Sequence, residues 1–235
     1  MNENWISLPR LPEQFPLGTD SVLLSDFVRL PPNALAADLG AGAGTLGLLR
    51  CARHPDCRVN GLELQSPAAE AAQAVIRENG MEGRVSVAQG DLRQIADFAP
   101  AGRYDVVVSN PPYFPAGSGA SAASEALALA RTELGCTLAE VCAAAAWLLR
   151  WGGLFFLVHR PERLCDLMTE LRGHGLEPKR LRLVRHRPDA PPCLVLLESR
   201  RGGKPSLTIE PELLLRDENG WESDEYRRIY GLGGT

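Results

Sequence analysis

The chain has 235 residues, 45% of them hydrophobic and 23% charged, with a net charge of −4. This is the balance of an ordinary globular protein, with room for a sizeable core in one large domain or one domain with a small addition. The net charge rules out a global signal for polyanion binding, and the most apolar run, CAAAAWLLRWGGLFFLV, is broken by Arg150 and Gly152–Gly153, which suits a buried helix, a turn and a strand better than a membrane span.

The opening MNENWISLPR has neither a basic n-region nor an apolar h-region, so no secretory leader is expected. FPLGTDSVLLSDF (15–27) places Val22, Leu23, Leu24 and Phe27 on the apolar face of a short helix. ALAADL (34–39) reads as a buried strand, followed by a glycine-rich turn and the helix TLGLLRCAR. RVNGLEL (58–64) is a second strand. The helix that follows takes Pro67 in its first turn, where a missing N–H costs nothing, and stops at Gly80. RVSVAQ (84–89) and YDVVVSN (104–110) are the third and fourth strands. PAGSGASAASEA (115–126) reads as a mobile loop. TLAEVCAAAAWLLRW (137–151) sets Leu138, Val141, Cys142, Ala145, Leu148 and Leu149 on one helical face. LFFLVH (154–159) is a fifth strand, and Pro161 opens a helix with Leu164, Leu167, Met168 and Leu171 at helical spacing. KRLRLVRHR and CLVLLES supply two more strands. The link between them, PDAPP, is too short for a parallel crossover, so this pair is expected to be antiparallel. Strand–helix alternation of this kind builds an open, mostly parallel α/β sheet with helices on both faces.

Six cysteines (Cys51, Cys57, Cys136, Cys142, Cys165 and Cys193) include no C-x-x-C pair, which disfavours zinc and thioredoxin chemistry and suits a reduced, cytoplasmic setting. Charge is unevenly spread. From His159 to Lys204 the chain carries eleven Lys/Arg and six acids, a local balance of +5 against −9 elsewhere. This window is a candidate footprint for a polyanion, or simply a solvated charged surface.

Several residues fall where such sheets hold ligands, beyond the carboxyl ends of the strands. In ADLGAGAGTLGLL, Gly40, Gly42 and Gly44 permit a sharp turn and close approach of a ligand to the backbone. The literal G-x-G-x-x-G at Gly42, Gly44 and Gly47 would suit a nicotinamide or flavin cofactor as well. Glu63, about twenty residues past the glycines, can accept both hydrogens of a ribose diol. Asp38 is better matched to a ligand bearing an ammonium group, and Asp91 can hydrogen-bond an adenine amine. Either acid could instead serve as a turn or N-cap residue.

Taken together, Asp38, the glycines, Glu63 and Asp91 resemble the S-adenosylmethionine (SAM) site of class I methyltransferases, over roughly Ala34 to Ser199. That resemblance implies a Rossmann-like fold with a mostly parallel seven-stranded sheet and an antiparallel edge pair. NPPY (Asn110, Pro111, Pro112, Tyr113) after the fourth strand resembles the motif of enzymes that methylate planar nitrogens: the amines of adenine, cytosine or guanine, or the amide of glutamine. Such a nitrogen is a poor nucleophile because its lone pair is delocalised. The Asn110 side-chain oxygen and the Pro111 carbonyl would each accept an N–H and return electron density to it. The prolines stiffen the loop, and Tyr113 offers a face for a flipped base. A strong general base is not required, because the methylated nitrogen loses its proton readily.

FPLGTDSVLLSDF, LVHRPERLCDLM and LLLRDENGWESDEYRRIYG are similar to segments of the bacterial tRNA(Val) adenine N6-methyltransferase family. By that resemblance the catalytic residues are Asn110, Pro111, Pro112 and Tyr113, and the cofactor is held by Thr19, Asp20, Asp38, Gly40, Ala41, Gly42, Gly44, Glu63, Leu64, Asp91, Leu92 and Asn110. SAM would be consumed to S-adenosyl-L-homocysteine with no metal, and the partner would be RNA, in particular tRNA, with no membrane and a monomer favoured. Residues 1–30 are then a segment over the cofactor site, 31–205 the methyltransferase domain and 206–235 its C-terminal extension. Other readings stay open. Amines of guanine or cytosine in rRNA use the same motif. Glutamine methylation usually comes with a helical N-terminal domain, for which about thirty residues before the first strand leave no room. A SAM- or RNA-binding module has little use for an oriented Asn. A nicotinamide oxidoreductase would need a proton donor beyond the scattered His54, His159, His174 and His186.

Overall fold

The computed structural model describes residues 18–111 and 136–231. Its centre is one sheet. Strands β1 (Leu35–Leu39), β2 (Arg58–Glu63), β3 (Val85–Gln89), β4 (Tyr104–Ser109) and β5 (Leu149–His159) pair in parallel, in the order β3-β2-β1-β4-β5. Strand β7 (Pro192–Arg201) lies antiparallel between β5 and β6 (Leu176–Arg185), as the short connection between the last two required. The two-residue strands β8 (Thr208–Ile209) and β9 (Leu213–Leu214) add to the outer side of β6, giving nine strands among the described residues where seven were expected. Both are too short to leave a period-2 pattern in the sequence.

Helices cover both faces, so the central strands are apolar on both sides. Val106, Val108, Phe156 and Val158 face one buried cluster, while Val107, Phe155 and Leu157 face the other. The first cluster is capped by α1 (Thr19–Phe27), α2 (Thr45–Arg53) and α3 (Ser66–Glu78). The second is capped by α4 (Ile95–Phe98), α5 (Leu138–Leu148) and α6 (Leu164–Gly173). Local chemistry sets the helix ends. Thr137 and Glu140 form a reciprocal capping box on α5. After α3, Gly80 turns at φ +61° and the Met81 N–H reaches back to the Ile76 carbonyl at 3.0 Å.

The expected helix over 137–151 ends early. Leu149 already pairs with Tyr104 of β4, so it opens β5 rather than closing α5. Gly152, at φ +80°, sits where the register between Tyr104 and Val106 shifts. Gly152–Gly153 therefore form a bulge inside a strand, not a turn before one.

The C-terminal segment changes the reading of the basic window. Arg180 is paired with Glu198 and, at 2.7 Å, with Glu210. Arg182 reaches Glu225 and Arg185 reaches Glu212, each at 2.7 Å. Glu225 lies in the last helix, α7 (Asp224–Tyr230), which packs on α1. Three arginines of the candidate polyanion footprint are thus neutralised by acids that follow in the chain, and they hold the extension to the sheet edge.

Candidate active site

The order of the sheet reverses between β1 and β4, and the carboxyl ends of β1 to β4 meet along one edge. This is the switch point at which open α/β sheets bind ligands. Ser109 at the end of β4 donates its hydroxyl to the Leu39 carbonyl at 2.8 Å, tying the two strand ends together.

The glycine turn hangs on β2. The N–H groups of Gly40 and Ala41 both donate to the Leu62 carbonyl, at 2.9 and 3.1 Å. Gly40, Gly42 and Gly44 take φ of +73°, +53° and +74°, the left-handed region that side chains with a Cβ rarely adopt. Gly44 caps α2, and Gly47 lies within that helix, where a Cβ would press on Val85 and Val59 at 3.1 and 3.2 Å. The third glycine of the motif therefore serves close helix–sheet packing. Gly61 has a like role that sequence reading missed: a Cβ there would meet Ala41 at 2.7 Å and Val87 at 2.9 Å. A glycine inside a strand was the available signal.

Glu63 is buried at the end of β2 and grips the turn. Its Oε2 accepts from the Gly42 N–H at 2.8 Å and its Oε1 from the Gln65 N–H at 2.9 Å. Each oxygen keeps a second lone pair for a ligand hydroxyl. Leu64 follows it, half-buried.

Asp38 is the most unusual group. It is 2% exposed, and its Oδ1 has no hydrogen-bond partner. Burial, aided by the nearby Glu63 carboxylate, pushes its pKa up to about 7. A buried carboxylate with an unmet acceptor is costly to a fold and is a receptor for a cation.

Asp91 caps the 3-10 turn Leu92–Gln94, accepting from the Arg93 N–H at 2.9 Å. The Arg93 guanidinium grips both its oxygens, Nε donating to Oδ1 at 2.9 Å and Nη2 to Oδ2 at 2.5 Å, and holds its pKa below the usual carboxylate range. Leu92 packs on the second cluster.

Asn110 follows β4, and its Nδ2 donates to Ser21 Oγ of α1 at 3.0 Å. That bond takes up one of the amide's two N–H groups and ties the side chain to α1. Pro111 is buried beside it; Pro112 and Tyr113 lie outside the described residues, as does the loop 115–126. Of the two residues expected to line the cofactor site from α1, Thr19 hydrogen-bonds Tyr230, and Asp20 lies close enough to Cys193 to help burial raise that thiol's pKa. Ser21, the next residue, is the one that meets Asn110. Helix α1 is itself held down by buried Arg50, whose Nη1 donates to the Ser25 carbonyl at 2.6 Å. Neither Ser21 nor Arg50 carries a pattern that would single it out in one sequence.

Fold and site together define a SAM-dependent methyltransferase. The chain belongs to the methyltransferase small domain family, whose model matches residues 17–171. It is 31% identical to the tRNA1(Val) (adenine(37)-N6)-methyltransferase of Porphyromonas gingivalis over 224 residues, covering 91% of this chain and 86% of that protein. The protein of the same description from Yersinia pestis is also 31% identical, with 91% and 84% covered. Among solved structures, a predicted O-methyltransferase from Agrobacterium tumefaciens superposes with a TM-score of 0.76 at 20% identity, over 91% of this chain and 96% of that one. A geranyl diphosphate methyltransferase in complex with SAM superposes at 0.56 with 14% identity, over 77% and 84%. These two share the fold.

Proposed function

We propose that this chain transfers a methyl group from SAM to the exocyclic N6 amine of an adenine in tRNA, and that its target is that of the relatives described as tRNA1(Val) (adenine(37)-N6)-methyltransferases. What carries the reading is a coincidence at one sheet edge. The orphaned Asp38 carboxylate fits an ammonium group, and on the neighbouring strand, two positions past Asp38's register partner Val108, the amide of Asn110 is tied to α1.

The residues present fit SAM. Asp38 would take its ammonium, Glu63 its ribose diol and Asp91 its adenine amine, with the glycine turn giving close access to the backbone. When bound, the cofactor supplies an electrophilic methyl group on a sulfonium. The protein's part is positioning. Asn110 Oδ1 and the Pro111 carbonyl accept the two N–H bonds of the target amine. This fixes its orientation and draws its lone pair out of the ring's π system. Orientation of this kind lowers barriers by several kcal/mol, up to about 7–11 in the best intramolecular cases. Ser21 anchors the Asn110 side chain from α1. The scattered free cysteines suit a cytoplasmic site of action.

The test is methyl transfer from labelled SAM to bulk tRNA, rRNA and protein in parallel, with nucleoside mass spectrometry of labelled RNA. N6-methyladenosine in the tRNA pool is the expected product, and Asn110→Ala should abolish it while leaving SAM affinity within about twofold. Label in protein alone would overturn the substrate, and normal turnover in the variant would overturn the mechanism.

A further inference from the structure

Part of the basic window is neutralised, and four of its other cations collect in one place. Arg180, Arg182 and Arg185 meet carboxylates. Arg200, Arg201 and Lys179 are instead held by neutral oxygens. Arg200 Nε donates to the Gly152 carbonyl at 3.1 Å, Arg201 Nη1 to the Leu149 carbonyl, and Lys179 Nζ to the Lys204 carbonyl and to Ser206 Oγ. Among the described residues neither these three nor Lys204 forms an ion pair; Glu177, opposite Arg200 in the strand register, is taken by Arg172 at 3.2 Å. All lie at the amino-terminal edge of the parallel strands, where β5 and β6 begin and β7 ends.

In the middle of this group stands Trp151, 76% exposed. Its benzo ring lies flat enough on Gly202 that a Cβ there would come within 2.2 Å of it. Gly202 takes φ +65°, and its N–H is bonded to the Gly175 carbonyl at 2.9 Å, so the support is rigid. One face of the indole is backed by the protein while the residue stays open to solvent. Further along the same edge, Arg58, Arg84 and Arg103 line a pocket of about 220 Å³, with Glu82 the one acid among its lining residues. A backed aromatic ring among these cations is the chemistry of a polynucleotide contact: phosphates meet the cations and a base stacks on the ring.

We propose that the amino-terminal edge of the sheet around Trp151 is a second RNA contact, remote from the methylated base. Strand β5 separates Trp151 from the catalytic edge by about 26 Å, at ~3.3 Å per residue. The contact therefore engages the body of a folded RNA, not the target nucleotide, and it acts on binding rather than on chemistry. This inference rests on the proposed RNA substrate.

The experiment compares Trp151→Ala and the double variant Arg200→Ala/Lys204→Ala with the wild type in filter binding of tRNA over a range of salt. SAM affinity and melting temperature serve as controls for folding. We expect Trp151→Ala to weaken tRNA binding about 10-fold with the salt slope unchanged. The double variant should lower the slope of log affinity against log salt by about 1.5. Both should raise KM for tRNA and leave kcat alone. Wild-type affinity and salt slope in both variants would overturn the proposal. So would a loss of kcat without a change in KM. If the wild type transfers no methyl group to tRNA yet binds it with a slope that the double variant lowers, the substrate reading falls and the surface stands.

Discussion

Asp38→Asn tests the site at its most costly group. With the wild-type pKa raised from 3.8 to about 7, the folded state holds a proton that the unfolded chain has lost across that interval. Stability therefore falls as pH rises from 3.8 to about 7 and is level above it, by about 4 kcal/mol from this group at 1.36 kcal/mol per pKa unit. The asparagine variant has no such dependence, so its stability relative to wild type should climb by about 4 kcal/mol between pH 4 and pH 8. A buried amide without partners costs about 1–3 kcal/mol in return. Unliganded Asp38→Asn should then exceed wild type at pH 8 by about 1–3 kcal/mol, which is about 2–12 °C in melting temperature for a chain of this size. Cofactor binding should move the opposite way. In wild type, SAM affinity should rise up to about tenfold per pH unit as pH approaches 7 from below, because the ammonium needs the ionised carboxylate. The variant should bind SAM weakly at every pH. Chemical denaturation and calorimetric SAM titration from pH 4.5 to 8.5 give both quantities. A stability difference between variant and wild type that stays flat with pH would refute the reasoning, since it would mean that Asp38 is not a strained, cation-seeking carboxylate.

Three further perturbations probe the neighbours. Ser21→Ala should lower kcat by about tenfold with SAM affinity unchanged, and Ser21→Thr should restore most of it; equal rates in the alanine variant would show that Asn110 does not need its helix partner. Glu63→Ala removes the acceptor for the Gly42 and Gln65 N–H groups as well as for a ribose, so SAM affinity should fall by at least about tenfold and stability by about 1–3 kcal/mol; calorimetry showing intact SAM binding would remove Glu63 from the cofactor site. Arg180→Met leaves the buried Glu198 and the half-buried Glu210 without their cation and should cost about 3 kcal/mol in urea denaturation, whereas a change below about 0.5 kcal/mol would mean that the C-terminal segment is not held by this arginine.

Much of this architecture is local and therefore visible in one sequence. Continuous valine runs can only be strands covered on both faces, and a five-residue link can only join antiparallel neighbours. Three left-handed turn positions after the first strand call for glycine, whatever packs around them. Acids at successive strand ends align because parallel strands share one carboxyl edge. These features depend on backbone sterics and on periods of 2 and 3.6 residues, and the sequence carries them without help from distant contacts.

What stayed hidden involves partners far apart in the chain. Leu149 fits the apolar stripe of a helix, yet it opens a strand because Tyr104, forty-five positions earlier, offers it a place in the sheet. The arginines of the basic window look alike by composition. Some meet glutamates that arrive only with the C-terminal segment, and others meet carbonyl oxygens and keep their charge. Ser21 becomes the partner of Asn110 across eighty-nine residues. Periodicity and backbone sterics were enough for the seven long strands, the glycine turn and the types of residue at the sheet's carboxyl edge. The tertiary structure alone decided which charges are spent on folding and which remain for a ligand, because compensation depends on distance in space and not on position along the chain.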